Sequence, residues 1–132
     1  MTRPSDFILN SDYLSIAQTG RSEHTATFSG GTLQPGGSAG DYVVQTTDFT
    51  IPSEPGSIDR IMISTNGGDF YIGSQTSFEA APLAYGSLDV CRVARNTIRA
   101  TMVVANSSDS VNTFPSMSFR IKITSFRPPN IF

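Results

Sequence analysis

The stretch "IDRIMISTNGGDFYIG", residues 58–73, carries the clearest structural signal in the chain. Two runs of β-prone residues flank the letters NGG at 66–68. Asn and Gly accept the positive φ angles that tight hairpin turns require, so the stretch predicts an antiparallel β-hairpin. Within this hairpin, the alternation predicts one shared face for Ile61, Ile63, Phe70 and Ile72.

Similar short runs recur on both sides of the hairpin, separated by turn-forming residues. In "HTATF", for example, His24, Ala26 and Phe28 alternate onto one side. Runs of this kind occupy residues 13–17, 24–28, 42–51, 58–65, 69–72, 88–94, 97–105 and 118–126. Their number and spacing are typical of a β-sandwich. We therefore predict an all-β fold: a single antiparallel β-sandwich domain of about eight strands over residues 1–132, with a jelly-roll-like arrangement.

The composition agrees with strands rather than helices. Ser and Thr make up 32 of the residues, whereas Glu occurs only three times. Hydroxyl and β-branched side chains suit a pleated, half-buried surface. A helix over residues 88–100 is the alternative there, because Arg92, Arg95 and Arg99 recur at helical spacing. We favour strands in this region, since the following "ATMVV" is a poor helix former.

Two segments depart from the strand pattern. The segment "SGGTLQPGGSAGD", residues 29–41, has five glycines and a proline, which predicts a flexible loop without a regular ladder. The chain ends in "RPPNIF", where the prolines cannot continue a central strand and would hold the last residues away as a stiff arm. Capping of the chain's own core by this arm is the alternative. The docking hypothesis predicts an interface formed by Arg127, Pro128, Pro129, Ile131 and Phe132.

Charge and cysteine content narrow the possible partners and compartments. The net charge is -2 and the isoelectric point about 5.1, so we expect no binding to nucleic acid or to a membrane. One cysteine excludes an intramolecular disulfide and fits a reducing compartment. The opening "MTRPSDFILN" lacks the long apolar run of a secretory signal, so we expect none.

The residues that could carry chemistry are few. His24 and Cys91 are the only His and Cys, and the strand pattern predicts a buried or half-buried histidine and an inert core thiol. Asp41, Asp69 and Asp109 could combine as oxygen ligands for calcium, but Asp is also common in turns. We therefore predict no enzymatic activity, no cofactor and no metal site.

The opening "RPSDFILNSDYLSIAQTG" and the closing "SFRIKITSFRPPNIF" resemble small all-β structural proteins of tailed bacteriophages. The resemblance implies a virion component, assembled in the bacterial host cytoplasm, such as a head decoration, connector or tail-associated subunit. It carries over no individual residues. We expect a non-enzymatic assembly protein that forms closed homo-oligomers and contacts other virion proteins. The alternative is a carbohydrate- or receptor-binding adhesin that uses the loops at one end of the sandwich.

Overall fold

The computed structural model of the chain describes residues 17–53, 57–65 and 70–127. These residues form strands and no helix, so this part of the chain contains no helix that could cross a membrane. The strands are β1 (Ala17–Phe28), β2 (Gly31–Leu33), β3 (Tyr42–Thr50), β4 (Ile58–Thr65), β5 (Tyr71–Ile72), β6 (Gln75–Ala81), β7 (Ala84–Ala94), β8 (Thr97–Asn106), β9 (Asn112–Phe114) and β10 (Met117–Arg127).

Two four-stranded antiparallel sheets pack against each other. The first sheet has the strand order β1-β10-β4-β5, and the second has the order β3-β8-β7-β6. The short strands β2 and β9 form a separate antiparallel ladder. The predicted all-β antiparallel sandwich is therefore confirmed. In the second sheet, β6, β7 and β8 are consecutive in the chain and adjacent in the sheet. The jelly-roll-like arrangement of the whole sandwich stays a prediction.

The core lies between the inward faces of the two sheets. Successive side chains of a strand point to opposite faces, so every second residue of β8 and β10 turns inward. These inward residues are at most 2% exposed, and deleting one of the larger ones would cost about 2–5 kcal/mol of stability. They are Ile98, Ala100, Met102 and Val104 in β8 and Phe119, Ile121 and Ile123 in β10.

A glycine in β7 lets an aromatic pair join the two sheets. The rings of Phe78 and Phe119 lie 5.1 Å apart between centroids, one from each sheet. Gly86 is buried beneath the ring of Phe78, and a Cβ at this position would lie 2.4 Å from its Cζ atom. That distance is far below van der Waals contact, so only glycine fits this position without displacing Phe78.

One end of the sandwich is held together by a buried asparagine. The Asn106 side chain, 4% exposed, donates hydrogen bonds to the carbonyls of Gln34 (2.9 Å) and Ser110 (2.8 Å). Its Oδ1 accepts a hydrogen bond from the Ser108 amide at 2.9 Å. The loop after β2 and the loop after β8 are thereby fixed to each other.

The glycine-rich segment 29–41 is more regular than its composition suggests. Gly31–Leu33 forms β2 and pairs with β9, so the expectation that this segment forms no ladder was wrong. The reason is Leu33, which is 1% exposed and anchors the short strand in the core. The predicted flexibility of the segment stays a prediction.

The hairpin strands are present, but their facing differs from the prediction. β4 and β5 pair antiparallel, with Met62 opposite Ile72 and Ile63 opposite Tyr71. Opposed residues share a face, so Ile72 lies with Met62 on the outward side and not with the buried Ile63. The turn at 66–68 lies outside the described residues. Residues 88–100 form parts of β7 and β8, which confirms the strand interpretation over the helical one.

Candidate functional site

The outward face of the second sheet carries a continuous apolar surface at one end. Tyr42 in β3 lies opposite Ala105 in β8, and Ala105 lies opposite Tyr85 in β7. In the neighbouring row, Val44 lies opposite Val103. Tyr42, Val44 and Tyr85 expose 61%, 51% and 52% of their surface. Opposed side chains lie about 5 Å apart, so these five residues form one surface, which we call the tyrosine patch.

A shallow depression and two carboxylates adjoin the tyrosine patch. The depression has a volume of about 550 Å³ and includes Ser77, Ser87 and Glu79 beside the patch residues. Asp89 lies further along β7, opposite Thr101. Glu79 and Asp89 are both exposed, and neither forms an ion pair within the part of the chain that the structure describes. This face is therefore apolar at one end and acidic along β6 and β7.

The outward face of the first sheet is basic. Arg21 in β1 lies opposite Thr124 in β10, and Thr124 lies opposite Arg60 in β4. Together with Lys122, Met62 and Phe126, these residues line a cleft of about 250 Å³. We call it the basic cleft, defined by Arg21, Arg60, Met62, Lys122, Thr124 and Phe126.

The cations of the basic cleft are not neutralised. Within the described part of the chain, Glu23 is the only carboxylate directly on this face, and it accepts two hydrogen bonds from Arg120, at 2.9 and 3.1 Å. The Lys122 ammonium lies 4.2 Å from the Phe70 ring centroid, a cation–π contact that positions the amine without removing its charge. Among the described residues, Arg21, Arg60 and Lys122 form no ion pair. The described residues of this face therefore carry a net positive charge although the chain is acidic overall.

A half-buried ion pair connects the two sheets at the end opposite Asn106. Arg92 in β7 donates to both carboxylate oxygens of Asp59 in β4, at 2.7 and 2.9 Å, and the Ser125 hydroxyl donates to Asp59 at 2.7 Å. Arg92 also donates to the carbonyl oxygens of Ile51 and Arg95. The hydrogen bonds from Arg92, and after them the one from Ser125, lower the pKa of Asp59. A carboxylate with both oxygens engaged is a structural clamp and a poor general base.

His24 is placed as the sequence predicted. It is half-buried on the inward side of β1 with Ala26 and Phe28, and its ring lies 4.7 Å from that of Phe49. Its Nε2 atom has no hydrogen-bond partner among the residues described. The observed contacts therefore give His24 a packing role.

The prediction of a core thiol at Cys91 was wrong. In β7 the buried residues are Leu88 and Val90, so the alternate positions Asp89 and Cys91 face outward. Cys91 is accordingly exposed. It lies opposite Arg99, which is engaged by Asp48 at 2.8 Å. The hydrogen bond from Arg99 lowers the pKa of Asp48.

The predicted docking arm cannot be placed. Only the backbone of Arg127 is described, as the last residue of β10 opposite Ala17. Pro128, Pro129, Ile131 and Phe132 lie outside the described residues, so their predicted interface stays a prediction.

The calcium hypothesis receives no support from the described carboxylates. Asp69 lies outside the described residues, and Asp41 accepts a hydrogen bond from the Gly37 amide at 2.9 Å. Within residues 17–53, 57–65 and 70–127, no three His, Cys, Asp or Glu side chains are grouped so that they could hold a metal ion.

Comparison with known proteins adds no assignment. The chain matches no protein-family model, no curated protein and no solved structure. Its candidate sites therefore rest on its own geometry.

The sequence interpretation missed the tyrosine patch. A usable signal was present in "YVVQTTDFT", where Tyr42 and Val44 share their phase with Thr46 and Asp48 and not with the inward residues. Large apolar residues at the polar phase of a strand indicate a surface that a partner covers. The basic cleft had a partial signal, because Lys122, Thr124 and the apolar Phe126 share the polar phase of β10. Its remaining cations, Arg21 and Arg60, are far apart in sequence and had none.

Proposed function

We propose that this protein is a non-enzymatic structural subunit that works by binding other protein chains, the first of them its own copies. The observation that carries the proposal is the tyrosine patch. Contiguous apolar surface rimmed by polar residues marks interaction sites in folded domains, and Tyr is enriched among the residues that dominate binding energy. The engaged Asp59 and the packed His24 supply no alternative catalytic centre among the described residues.

The resemblance to structural proteins of tailed bacteriophages supports a virion as the site of action. A head decoration, connector or tail-associated subunit works through repeated protein contacts, which is the chemistry that an apolar sheet face provides. A terminal arm with Ile131 and Phe132 would add a second contact to the same neighbour or to another. The proposal for the arm is separate from the proposal for the tyrosine patch.

The experiment compares matched surface variants by sedimentation velocity. Tyr42→Ser with Tyr85→Ser removes both rings of the tyrosine patch. We expect the dissociation constant of the assembly to rise at least about tenfold, because each ring is a central apolar contact. Tyr71→Ser is the control: Tyr71 is 66% exposed, but it pairs with the buried Ile63 and so lies on neither outward face. Equal effects of control and patch variants would contradict the proposal.

Deletion of residues 130–132 tests the arm independently of the patch. Loss of assembly with an unchanged melting temperature of the monomer would support docking. A lower melting temperature of the monomer would support capping of the chain's own core instead. No change in either measurement would show that the arm has neither role.

A second candidate is carbohydrate binding. The specific observation is the row Tyr42–Ala105–Tyr85, in which two exposed rings stand about 10 Å apart across a small residue. Aromatic rings at this spacing can stack on sugar faces, although the chain has no Trp. The test is a titration of the protein with a panel of glycans, followed by tyrosine fluorescence. A strict monomer whose fluorescence changes, together with a Tyr85→Ser variant that does not respond, would favour this function.

A further inference from the structure

The two outward faces of the sandwich have opposite charge. On the first sheet, Arg21, Arg60 and Lys122 have no acidic partner among the described residues. On the second sheet, the free charges directly on the face are Glu79 and Asp89, since Asp48 and Arg99 neutralise each other. The faces lie on opposite sides of the core, so the described domain is basic on one side and acidic on the other.

Both faces also present apolar surface. The acidic face carries the tyrosine patch. On the basic face, Ile58 and Ile72 are 58% and 69% exposed, and they flank Met62 and Phe126 of the basic cleft. Each face therefore combines an apolar surface with unpaired charges of a single sign, a combination that is common in specific interfaces.

The charges decide which faces can meet. If the acidic face bound the same face of another copy, Glu79 and Asp89 would meet like charges, and the basic face has the same problem with Arg21 and Arg60. Like charges brought together at an interface cost several kcal/mol, whereas opposite charges favour encounter and fix orientation. The basic face of one copy and the acidic face of the next are therefore the favourable combination.

The faces are also large enough. Four strands about 4.8 Å apart and about eight residues long at about 3.3 Å each give a face of roughly 500 Å² in projection. Two such faces approach about 1,000 Å² of buried surface, the lower limit of a specific interface.

We propose that copies of this chain associate face to back, with the basic cleft of one copy docking on the tyrosine patch and the carboxylates Glu79 and Asp89 of the next. The inference rests on the proposed function and specifies its partner and geometry. Such an interface is heterologous, because two different surfaces meet. It produces a closed ring when the rotation between copies closes and a filament when it does not.

Charge reversal with complementation tests this geometry. The first variant carries Arg21→Glu and Arg60→Glu, which makes both of its faces acidic. The second variant carries Glu79→Lys and Asp89→Lys, which makes both of its faces basic. We expect each variant alone to associate at least about tenfold more weakly than the wild type. An equimolar mixture should assemble again, because every contact then joins an acidic face to a basic face.

The control is Arg95→Glu, which lies in the exposed turn between β7 and β8. It changes the net charge by as much as each single substitution in the two variants. It should leave assembly unchanged, and circular dichroism should show the wild-type fold for all variants. If a reversed variant does not fold, the salt dependence of wild-type assembly replaces it: association should weaken from 0.05 to 0.5 M salt as the charges are screened.

The outcomes separate this inference from the proposed function. Assembly of the wild type that is insensitive to both reversals and to salt would overturn the face-to-back geometry alone. Assembly that is lost in both variants but not restored by mixing would also overturn it. A wild type that remains a monomer at every concentration would overturn both.

Discussion

The ion pair between Asp59 and Arg92 provides a quantitative test of how the two sheets are held together. Replacing Asp59 by Asn keeps the shape of the side chain but removes its charge. The Asn amide also places an N–H group against the Arg92 Nε–H, where the carboxylate oxygen accepts a hydrogen bond at 2.7 Å. Arg92 would then be a half-buried cation whose acceptors are all neutral: the remaining amide oxygen and the carbonyl oxygens of Ile51 and Arg95.

The magnitude follows from the burial of this pair. The Arg92 and Asp59 side chains are 17% and 14% exposed, between the surface and the interior. Breaking an exposed pair costs about 0.2–1 kcal/mol, and breaking a fully buried one about 3–5 kcal/mol. We therefore expect Asp59→Asn to lower the free energy of unfolding by about 2–3 kcal/mol. With a typical slope for a small domain, the urea midpoint would fall by about 1–2 M.

The matched control is Asp48→Asn on the outward face of the second sheet. Asp48 has the same two-pronged geometry with Arg99, at 2.8 and 3.1 Å, but the pair is 43% and 46% exposed. Solvent screens this pair, so the control should lose clearly less stability. Urea unfolding at pH 7, with all variants at one protein concentration, compares them directly.

The pH dependence of stability tests the contribution of Asp59 independently. The pKa of Asp59 is lowered in the folded state, so its contribution is fully present above the ordinary Asp value of about 3.9. That contribution is lost as the pH falls through the folded-state pKa. Wild type and Asp59→Asn should therefore differ most at pH 7, and the difference in the free energy of unfolding should shrink as the pH falls below about 3.9. Equal destabilisation by Asp59→Asn and Asp48→Asn, or a difference between wild type and Asp59→Asn that does not shrink as the pH is lowered, would refute the role of a clamp between the sheets.

Three further predictions test the core, the surface and the loops. Gly86→Ala should destabilise the fold by about 1–3 kcal/mol in urea unfolding, because the new Cβ overlaps Phe78; an unchanged midpoint would contradict this packing. Cys91 should react with a thiol reagent in the native protein as fast as in urea, since it is exposed; strong native protection in a monomer would contradict its placement. Asn106→Ala should cost about 1–3 kcal/mol and speed hydrogen exchange around Gln34, because a buried anchor is lost; unchanged exchange would show that the loops are held otherwise.

The strand pattern could be predicted from the sequence because it depends on neighbours along the chain. In the predicted strand 118–126, Phe119, Ile121 and Ile123 alternate with polar residues, and the structure buries these three in the core. Cys91 was misjudged because a valine precedes it, and a shift of one position moves a side chain to the other face. Ile72 in β5 was assigned to the wrong face because the turn sets the register between β4 and β5, and a shift of one position exchanges the faces.

The candidate sites could not be predicted because they depend on which strands become neighbours. The tyrosine patch requires β3 and β7 to flank β8, and the basic cleft requires β1 and β4 to flank β10. Arg21, Thr124 and Arg60 form one row only after these long-range pairings are made. A single sequence contains no local signal for such pairs. The anchor of β2 is different, because Leu33 is the one large apolar residue of the segment 29–41.

The measurement that tests the central proposal most directly is the mass of the unmodified chain in solution across micromolar to millimolar concentrations. Sedimentation equilibrium at low salt is suitable because it reports mass without a standard. The proposed assembly function predicts masses that are multiples of 14.2 kDa and that increase with concentration toward a ring or filament. A single species of 14.2 kDa over the whole range would contradict the proposed function and the face-to-back geometry together.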